Sequence, residues 1–335
     1  MGAGTPWSWP IPLAPTPRDV VATFGGSKLY RFRAEITGRR VAAPPLLVVP
    51  SMINRWYVVD LREGASLVSA LVRGGLDVFC LDWGVPEDED RHLAWDDVVR
   101  RLEHALGRVR RVAGTEQASI LGYCMGGTLS AIAAARAPER VASLVNLAGP
   151  IDFSRAGLLA ALVAPQHFDV DAIAAAGNVA PMQMQSGFWA LRPTGQIAKW
   201  FGLVDRGGDE SFREAFGALE TWASDNVPFP AAAYVTYIRE LYQENRLVAG
   251  EHAVRGKRVD LGAITCPVLT VVAEKDTICP PDAALALNAR ASSAVKDVIA
   301  VPGGHVGAVV GSKAEKTLYP KLVDWIVRTT CDSKN

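Results

Sequence analysis

The first half of the chain alternates between short apolar runs and amphipathic segments. Strand patterns are predicted at residues 28–37, 46–49, 77–81, 118–121 and 141–147. Helical patterns at 65–72, 95–112 and 125–135 separate them. One face of the longest helical pattern carries apolar residues only: Val98, Leu102, Leu106 and Val109. This repeated β-α-β order predicts an α/β fold with a mostly parallel, doubly wound sheet.

The alternation stops in the middle of the chain. From about residue 153 to 260 we find no good strand pattern, and the segment is helical and rich in Phe, Trp, Tyr and Met. The sheet pattern then resumes with strands at 267–273 and 297–301, a helix at 282–291 and a last helix at about 314–328. We therefore expect a Pro-rich extended arm at 1–24, a core at 25–152 and 261–330, and a helical cap inserted at 153–260 before the strand that carries the candidate acid.

Composition narrows the class of protein. Of the 335 residues, 49% are hydrophobic and 21% charged, which is an ordinary globular balance. Lys+Arg and Asp+Glu are both 35, so no basic field favours nucleic acid. Five cysteines without a CxxC or zinc-type spacing predict reduced thiols and no metal site. The N-terminus shows no signal-peptide pattern, so we expect a cytoplasmic protein.

One uncharged stretch, residues 117–135, could be mistaken for a transmembrane segment. It contains Gly122-Tyr123-Cys124-Met125-Gly126 between a predicted strand and a predicted helix, so we expect no membrane span. This is the strand-to-helix turn on which α/β-hydrolases carry their nucleophile. A helix N-terminus favours a thiolate, and the N–H of Met125 would face a developing oxyanion. A small core cysteine is the plainer alternative. A phosphate loop lacks its lysine, because Thr128 stands there.

A nucleophile of this kind needs an acid and a histidine later in the chain. Asp276 directly follows the predicted strand at 267–273, and His305 follows the strand at 297–301. One helix and one strand separate the two residues, so both can reach the same edge of a parallel sheet. Structural roles suit the remaining histidines better: His92, His104, His167 and His252.

Several segments together resemble the polyhydroxyalkanoate synthases, in particular the short two-subunit type (class III or IV). The resemblance covers roughly residues 40–330. It rests on the segments VVPSMINRWYVVDL (48–61), LDWG (81–84), LGYCMGGT (121–128), AGPIDFSRAG (148–157), LYQENRLVAGE (241–251), RGKRVDLGAITCPVLTVVAEKDTICPP (255–281) and GGHVGAVVG (303–311).

The resemblance implies an α/β-hydrolase fold and an acyltransferase. Such an enzyme polymerises (R)-3-hydroxyacyl-CoA into a polyester through an acyl-cysteine and releases CoA, with the thioester as substrate and no cofactor. It also implies a second synthase subunit, a homodimer or both, and a place in the cytoplasm or on polyester granules. We assign the catalytic roles to Cys124, Asp276 and His305. Oxyanion or substrate contacts are expected at Met125, Met52, Ile53, Asn54 and Trp83.

Two alternatives stay open at the level of sequence. A cysteine-dependent acyltransferase or thioesterase that makes no polymer would carry the same three residues. An inactive relative could serve as a binding subunit on granules, although the complete set Cys124, Asp276 and His305 argues against it. Product size separates the first alternative, and CoA release the second.

Overall fold

A computed structural model describes residues 12–33, 41–191, 208–311 and 313–331. Its centre is an eight-stranded sheet with the strand order β1-β2-β4-β3-β5-β6-β7-β8. The hairpin β1–β2 is antiparallel and also pairs antiparallel with β4, while all other neighbours are parallel. The predicted α/β class is confirmed. The strands are β1 (Arg18–Phe24), β2 (Ser27–Phe32), β3 (Leu46–Val49), β4 (Val78–Asp82), β5 (Ala118–Tyr123), β6 (Val141–Leu147), β7 (Val268–Ala273) and β8 (Lys296–Val301).

Burial explains why the central strands are mostly apolar. Every residue of β3, β4, β5 and β7 is buried, because helices cover both faces of the parallel part. The edge strand β8 alternates exposed and half-buried residues instead. The carboxyl ends of the parallel strands lie along one edge of the sheet, where loops can bring distant residues together.

Helices flank the sheet and also lie in the described part of the long connection between β6 and β7. They are α1 (Leu67–Arg73), α2 (Trp95–Ala113), α3 (Met125–Arg136), α4 (Leu158–Leu162), α5 (Val170–Ala174), α6 (Pro181–Ala190), α7 (Glu210–Ser224), α8 (Ala231–Thr236), α9 (Arg246–Ala249), α10 (Pro281–Arg290), α11 (Gly307–Val310), α12 (Ala314–Thr317) and α13 (Tyr319–Cys331). A π-helix, Tyr237–Gln243, continues α8. No helix among the described residues is long and apolar enough to cross a membrane.

The expectation of no strand between residues 153 and 260 is wrong at one small hairpin. Ala253–Val254 pairs with Lys257–Arg258 around a turn in which Arg255 and Gly256 have φ of 54° and 71°. Two positive φ values match a two-residue hairpin turn. Two-residue strands are too short to show a hydrophobic period, so the sequence pattern could not reveal them.

Both ends of the chain differ from the predicted boundaries. The sheet begins at Arg18, inside the segment expected as an extended arm. Just before it, Thr16 donates from Oγ1 (2.7 Å) and from its backbone N–H (3.1 Å) to the fully buried Asp60. Residues 1–11 of the expected arm lie outside the described residues. The expected last helix is split at Leu318, because Pro320 has no backbone N–H and fits the first turn of a new helix.

Candidate active site

Cys124 occupies a strained turn between β5 and α3. Its φ of 57° and ψ of −131° are rare for a residue with a side chain. A Cβ on Gly126 would lie 1.9 Å from the carbonyl oxygen of Val49, and one on Gly122 would lie 2.3 Å from that of Gly126. Both glycines of the motif are therefore needed for the close approach of β5, α3 and β3.

The backbone around Cys124 is held from both sides. Its N–H donates to the carbonyl oxygen of Leu147 at 3.0 Å, and its own carbonyl accepts from Gly127 at 2.8 Å. Met125 begins α3, so its backbone N–H is one of the first N–H groups of the helix, which have no acceptor within the helix. The turn thus presents a half-buried thiol beside backbone donors at a helix N-terminus.

The loop after β7 fixes Asp276. Its Oδ1 accepts from the backbone N–H groups of Ile278 and Cys279, each at 2.9 Å. Its Oδ2 lies 2.7 Å from Nδ1 of His305, and the carboxylate is fully buried. Because both oxygens are engaged, the carboxylate holds the His305 ring in one orientation and favours the proton on Nδ1.

His305 is buried and stacked. The ring of Tyr123 lies 5.3 Å from its ring with an interplanar angle of 27°. Nε2 faces Cys124, with which His305 shares a cavity. Burial lowers the pKa of His305, but the negative charge of a Cys124 thiolate and the bond to Asp276 outweigh it and raise the pKa to about 10. A thiolate at Cys124 would therefore keep the neighbouring His305 protonated.

The five candidates for oxyanion or substrate contacts occupy different places. Met125 and Ile53 line a cavity with Cys124. Asn54 lines a second one, and its amide donates to Oδ1 of Asn226 at 2.6 Å. Met52 is in the apolar core instead. Trp83 is also buried in the core, where its Nε1–H donates to the carbonyl of Pro50 at 2.9 Å, so it braces the 50–54 loop.

Two cavities adjoin Cys124. The larger has a volume of about 360 Å³, and the smaller about 160 Å³. The sequence indicated a segment rich in aromatic residues but could not select the ones that line these cavities. They include Met184, Phe188, Phe229, Tyr237 and Tyr242.

Two further lining residues, Ile278 and Cys279, follow the acid in the chain and were not expected. Their positions, two and three residues after Asp276, are the feature of the sequence that could have identified them. Burial, followed by the charges of Asp276 and Cys124, raises the pKa of the Cys279 thiol well above its usual range. Cys279 therefore remains a neutral lining group beside the nucleophile candidate.

A second histidine lies behind Tyr237, which lines the larger cavity. His252 is fully buried, and its Nδ1 lies 2.8 Å from Glu240 in the π-helix. Its Nε2 accepts from Nε1–H of Trp95 at 3.2 Å, and Trp95 packs against Tyr237, with ring centroids 5.3 Å apart. These contacts attach the π-helix to α2.

Comparison with known proteins agrees with this geometry. The model of the alpha/beta hydrolase fold matches residues 44–312, and that of the poly-beta-hydroxybutyrate polymerase (PhaC) N-terminus matches residues 12–71. A hydrolase from Pseudomonas aeruginosa shares the fold, with a TM-score of 0.55, 18% identity and coverage of 91% of this chain and 98% of that one.

Two relatives carry the same name, poly(3-hydroxyalkanoate) polymerase subunit PhaC. The protein from Allochromatium vinosum is 33% identical, over 93% of this chain and 88% of its own length. The one from Haloferax mediterranei is 34% identical, over 94% of this chain and 64% of its own length. The resemblance found in the sequence is thus confirmed: the chain belongs to the poly(3-hydroxyalkanoate) polymerase family and has its α/β-hydrolase fold.

Proposed function

We propose that this polymerase-family chain joins (R)-3-hydroxyacyl groups into a polyester through an acyl-Cys124 intermediate. One observation carries the assignment of roles. A cysteine on a strained turn adjoins an apolar cavity and faces Nε2 of a histidine whose other nitrogen is bound to a buried carboxylate. These are the nucleophile, the base and the orienting group of a catalytic triad.

Acylation begins with attack of the Cys124 thiolate on the thioester carbonyl. The Sγ–C bond forms, and the carbonyl electrons move to oxygen. We assign the stabilisation of this oxyanion to the N–H of Met125 and to one N–H of the 51–53 loop. The C–S bond to CoA then breaks, and His305 gives its Nε2 proton to the departing thiolate. CoA leaves as a thiol, and His305 becomes neutral.

Acylation also prepares His305 for the next step. A thioester carries no charge, so the thiolate that raised the pKa of His305 is gone, while the desolvation that lowers it remains. His305 can then take the proton of an acceptor hydroxyl. The alkoxide attacks the acyl-Cys124 carbonyl, an oxygen ester forms, and the Cys124 thiolate leaves beside the newly formed imidazolium.

A cysteine nucleophile suits polymer formation. Exchange of one thioester for another is nearly isoenergetic, so the acyl group stays activated until an alcohol takes it. Water competes with that alcohol, and the apolar walls around Cys124, which include Phe188 and Phe229, limit its access. All the catalytic groups in this scheme come from the chain itself, so we propose that no cofactor takes part.

The partners are proposals of the same kind. The relatives are named as subunits, which supports a second synthase subunit, a homodimer or both for this chain. We propose an acyl-CoA thioester and the growing polyester as its ligands, and a place on the granule that this polyester forms.

Two substrates test the polymerase against a thioesterase. With 3-hydroxybutyryl-CoA we expect CoA release and ester-linked oligomer or polymer, with little free acid. Butyryl-CoA has no hydroxyl, so it should acylate Cys124 and then stall, which intact-protein mass spectrometry detects as a stable adduct. Rapid stoichiometric release of butyrate would instead leave a thioesterase.

A further inference from the structure

The two cavities beside Cys124 differ in size and in whether His305 lines them. Aliphatic and aromatic side chains dominate the larger one: Leu159, Leu162, Val163, Phe168, Phe229 and Ile238. The smaller one is also lined mainly by apolar side chains, among them Trp189 and Trp222, and it contains His305. Cys124 lines both, so an acyl group on its sulfur can extend into either space.

The position of His305 decides which space the acceptor uses. Transfer requires Nε2 of His305 to take the proton of the acceptor hydroxyl, so that hydroxyl must lie within hydrogen-bond reach of the ring. His305 lines the smaller cavity and is not among the lining residues of the larger. The acceptor, with the substituent on its hydroxyl-bearing carbon, therefore has about 160 Å³, whereas the acyl group on Cys124 has about 360 Å³.

Four apolar side chains line both cavities and stand between them. Ile278 lies on the loop after β7, where its backbone N–H donates to Oδ1 of Asp276. Ile53 comes directly before Asn54, whose side-chain amide donates to Oδ1 of Asn226. The other two, Met184 and Phe188, lie one turn apart on α6, and Gln185 between them donates to the carbonyl of Ala223 at 3.1 Å. Together the four side chains form a wall between the cavities, and Met184 and Phe188 are the two that lie on the same helix.

We propose that Met184 and Phe188 separate an acyl compartment from an acceptor compartment, and that the acceptor step, more than acylation, selects the chain length of the monomer. The inference rests on the proposed polymerase function. Long and short acyl groups both enter the larger cavity and acylate Cys124. A long substituent on the acceptor clashes with this wall when its hydroxyl reaches His305.

The experiment separates the two steps. Enzyme is acylated with butyryl-CoA, freed of excess reagent and mixed with 3-hydroxybutyryl-CoA or 3-hydroxyoctanoyl-CoA as acceptor; butyryl-ester products are counted by mass spectrometry. We expect transfer to favour the short acceptor by about tenfold or more, because a single methylene can already change the selectivity of an apolar pocket by this factor. The first-turnover CoA release from the two hydroxyacyl substrates should differ by less than about threefold, because the larger cavity takes both.

Variants on α6 test the wall. Phe188→Ala and Met184→Ala should each reduce the preference for the short acceptor by about fivefold, because a smaller side chain leaves more room for a long acceptor in the smaller cavity. Met182→Ala is the matched control on the same helix, because Met182 is 66% exposed and lines neither cavity. Butyryl loading of Cys124 shows that each variant is folded, and Phe188→Leu replaces Phe188→Ala if that variant fails to load.

Each outcome has one meaning. Equal transfer to both acceptors, or a preference that the Met184 and Phe188 variants leave unchanged, overturns the two-compartment proposal while the polymerase stands. Equal discrimination in acylation and in transfer also overturns it. Loss of the butyryl group to water before any acceptor is added contradicts the polymerase itself.

Discussion

Two histidines of this chain are held by a carboxylate in nearly the same way but differ in charge. His305 lies 2.7 Å from Asp276 through Nδ1, and His252 lies 2.8 Å from Glu240 through Nδ1. Both rings are buried. Yet the pKa of His305 is raised to about 10, whereas burial lowers the pKa of His252 despite its bond to Glu240.

The second ring nitrogen explains the difference. Nε2 of His305 faces Cys124, whose thiolate favours a proton on that nitrogen. Nε2 of His252 accepts a hydrogen bond from the indole N–H of Trp95 and must stay unprotonated for it. A histidine–carboxylate pair is therefore not by itself a catalytic sign in this fold. The group on the other nitrogen, and a cavity beside it, decide whether the pair moves protons or supports the structure.

The largest effect is expected from removing the group that His305 faces. Cys124→Ala should lower CoA release by about 10³-fold or more, as nucleophile removal does in other enzymes. It should also lower the pKa of His305, because the thiolate charge is lost; NMR titration of the ring nitrogens measures this. Cys266→Ala is the control and should keep activity within a few fold. Substantial turnover by Cys124→Ala would refute the nucleophile assignment.

Replacing His305 should give the next largest effect. His305→Gln should lower both acylation and transfer by about 10²-fold or more, the usual contribution of an acid–base group. Single-turnover CoA release from 3-hydroxybutyryl-CoA measures acylation, and transfer from acylated enzyme to an added acceptor measures the second step. Wild-type rates in both steps would show that His305 moves no proton in either.

Asp276→Asn should affect the two steps unequally. Acylation should fall by only about tenfold, because a thiol beside a histidine ionises partly unaided. Transfer should fall by about 10²-fold or more, because a neutral His305 then loses the partner that orients it and stabilises its imidazolium. Single-turnover labelling with radiolabelled acyl-CoA, followed by addition of an acceptor, separates the rates. An equal loss in both steps would contradict this division of roles.

The smallest effect on activity is expected from replacing His252, the histidine that is bound to Glu240. His252→Gln should keep CoA release within about threefold but lower the free energy of unfolding by about 1–3 kcal/mol, the cost of unmatched buried polar groups. The wild type should lose stability as pH falls below about 6.5, because the unfolded chain then binds a proton that the folded His252 refuses. Urea unfolding at pH 5.5 and 7.5 measures both, and the loss of stability at the lower pH should be smaller in the variant than in the wild type. A loss of activity as large as that of His305→Gln would give His252 a catalytic role.

Local sequence patterns were sufficient for the α/β fold and its central strands. The segments at 46–49 and 141–147 are strands with the same bounds in the structure, because a strand buried on both faces is mostly apolar. The short hairpin at residues 253–258 and the edge strand Arg18–Phe24 escaped, since they are either too short or too exposed to carry a hydrophobic period.

The sequence by itself also singled out Cys124, Asp276 and His305, because each follows a predicted strand and parallel strands end at one edge of a sheet. The tertiary structure alone decided what surrounds them. It turned Trp83 towards the carbonyl of Pro50, placed Met52 in the core and brought Met184 and Phe188 to Cys124. These contacts join residues far apart in the chain through side-chain packing, which leaves no local period. It likewise shifted the pKa values of two similarly bound histidines in opposite directions, because the group opposite each ring comes from a distant part of the chain.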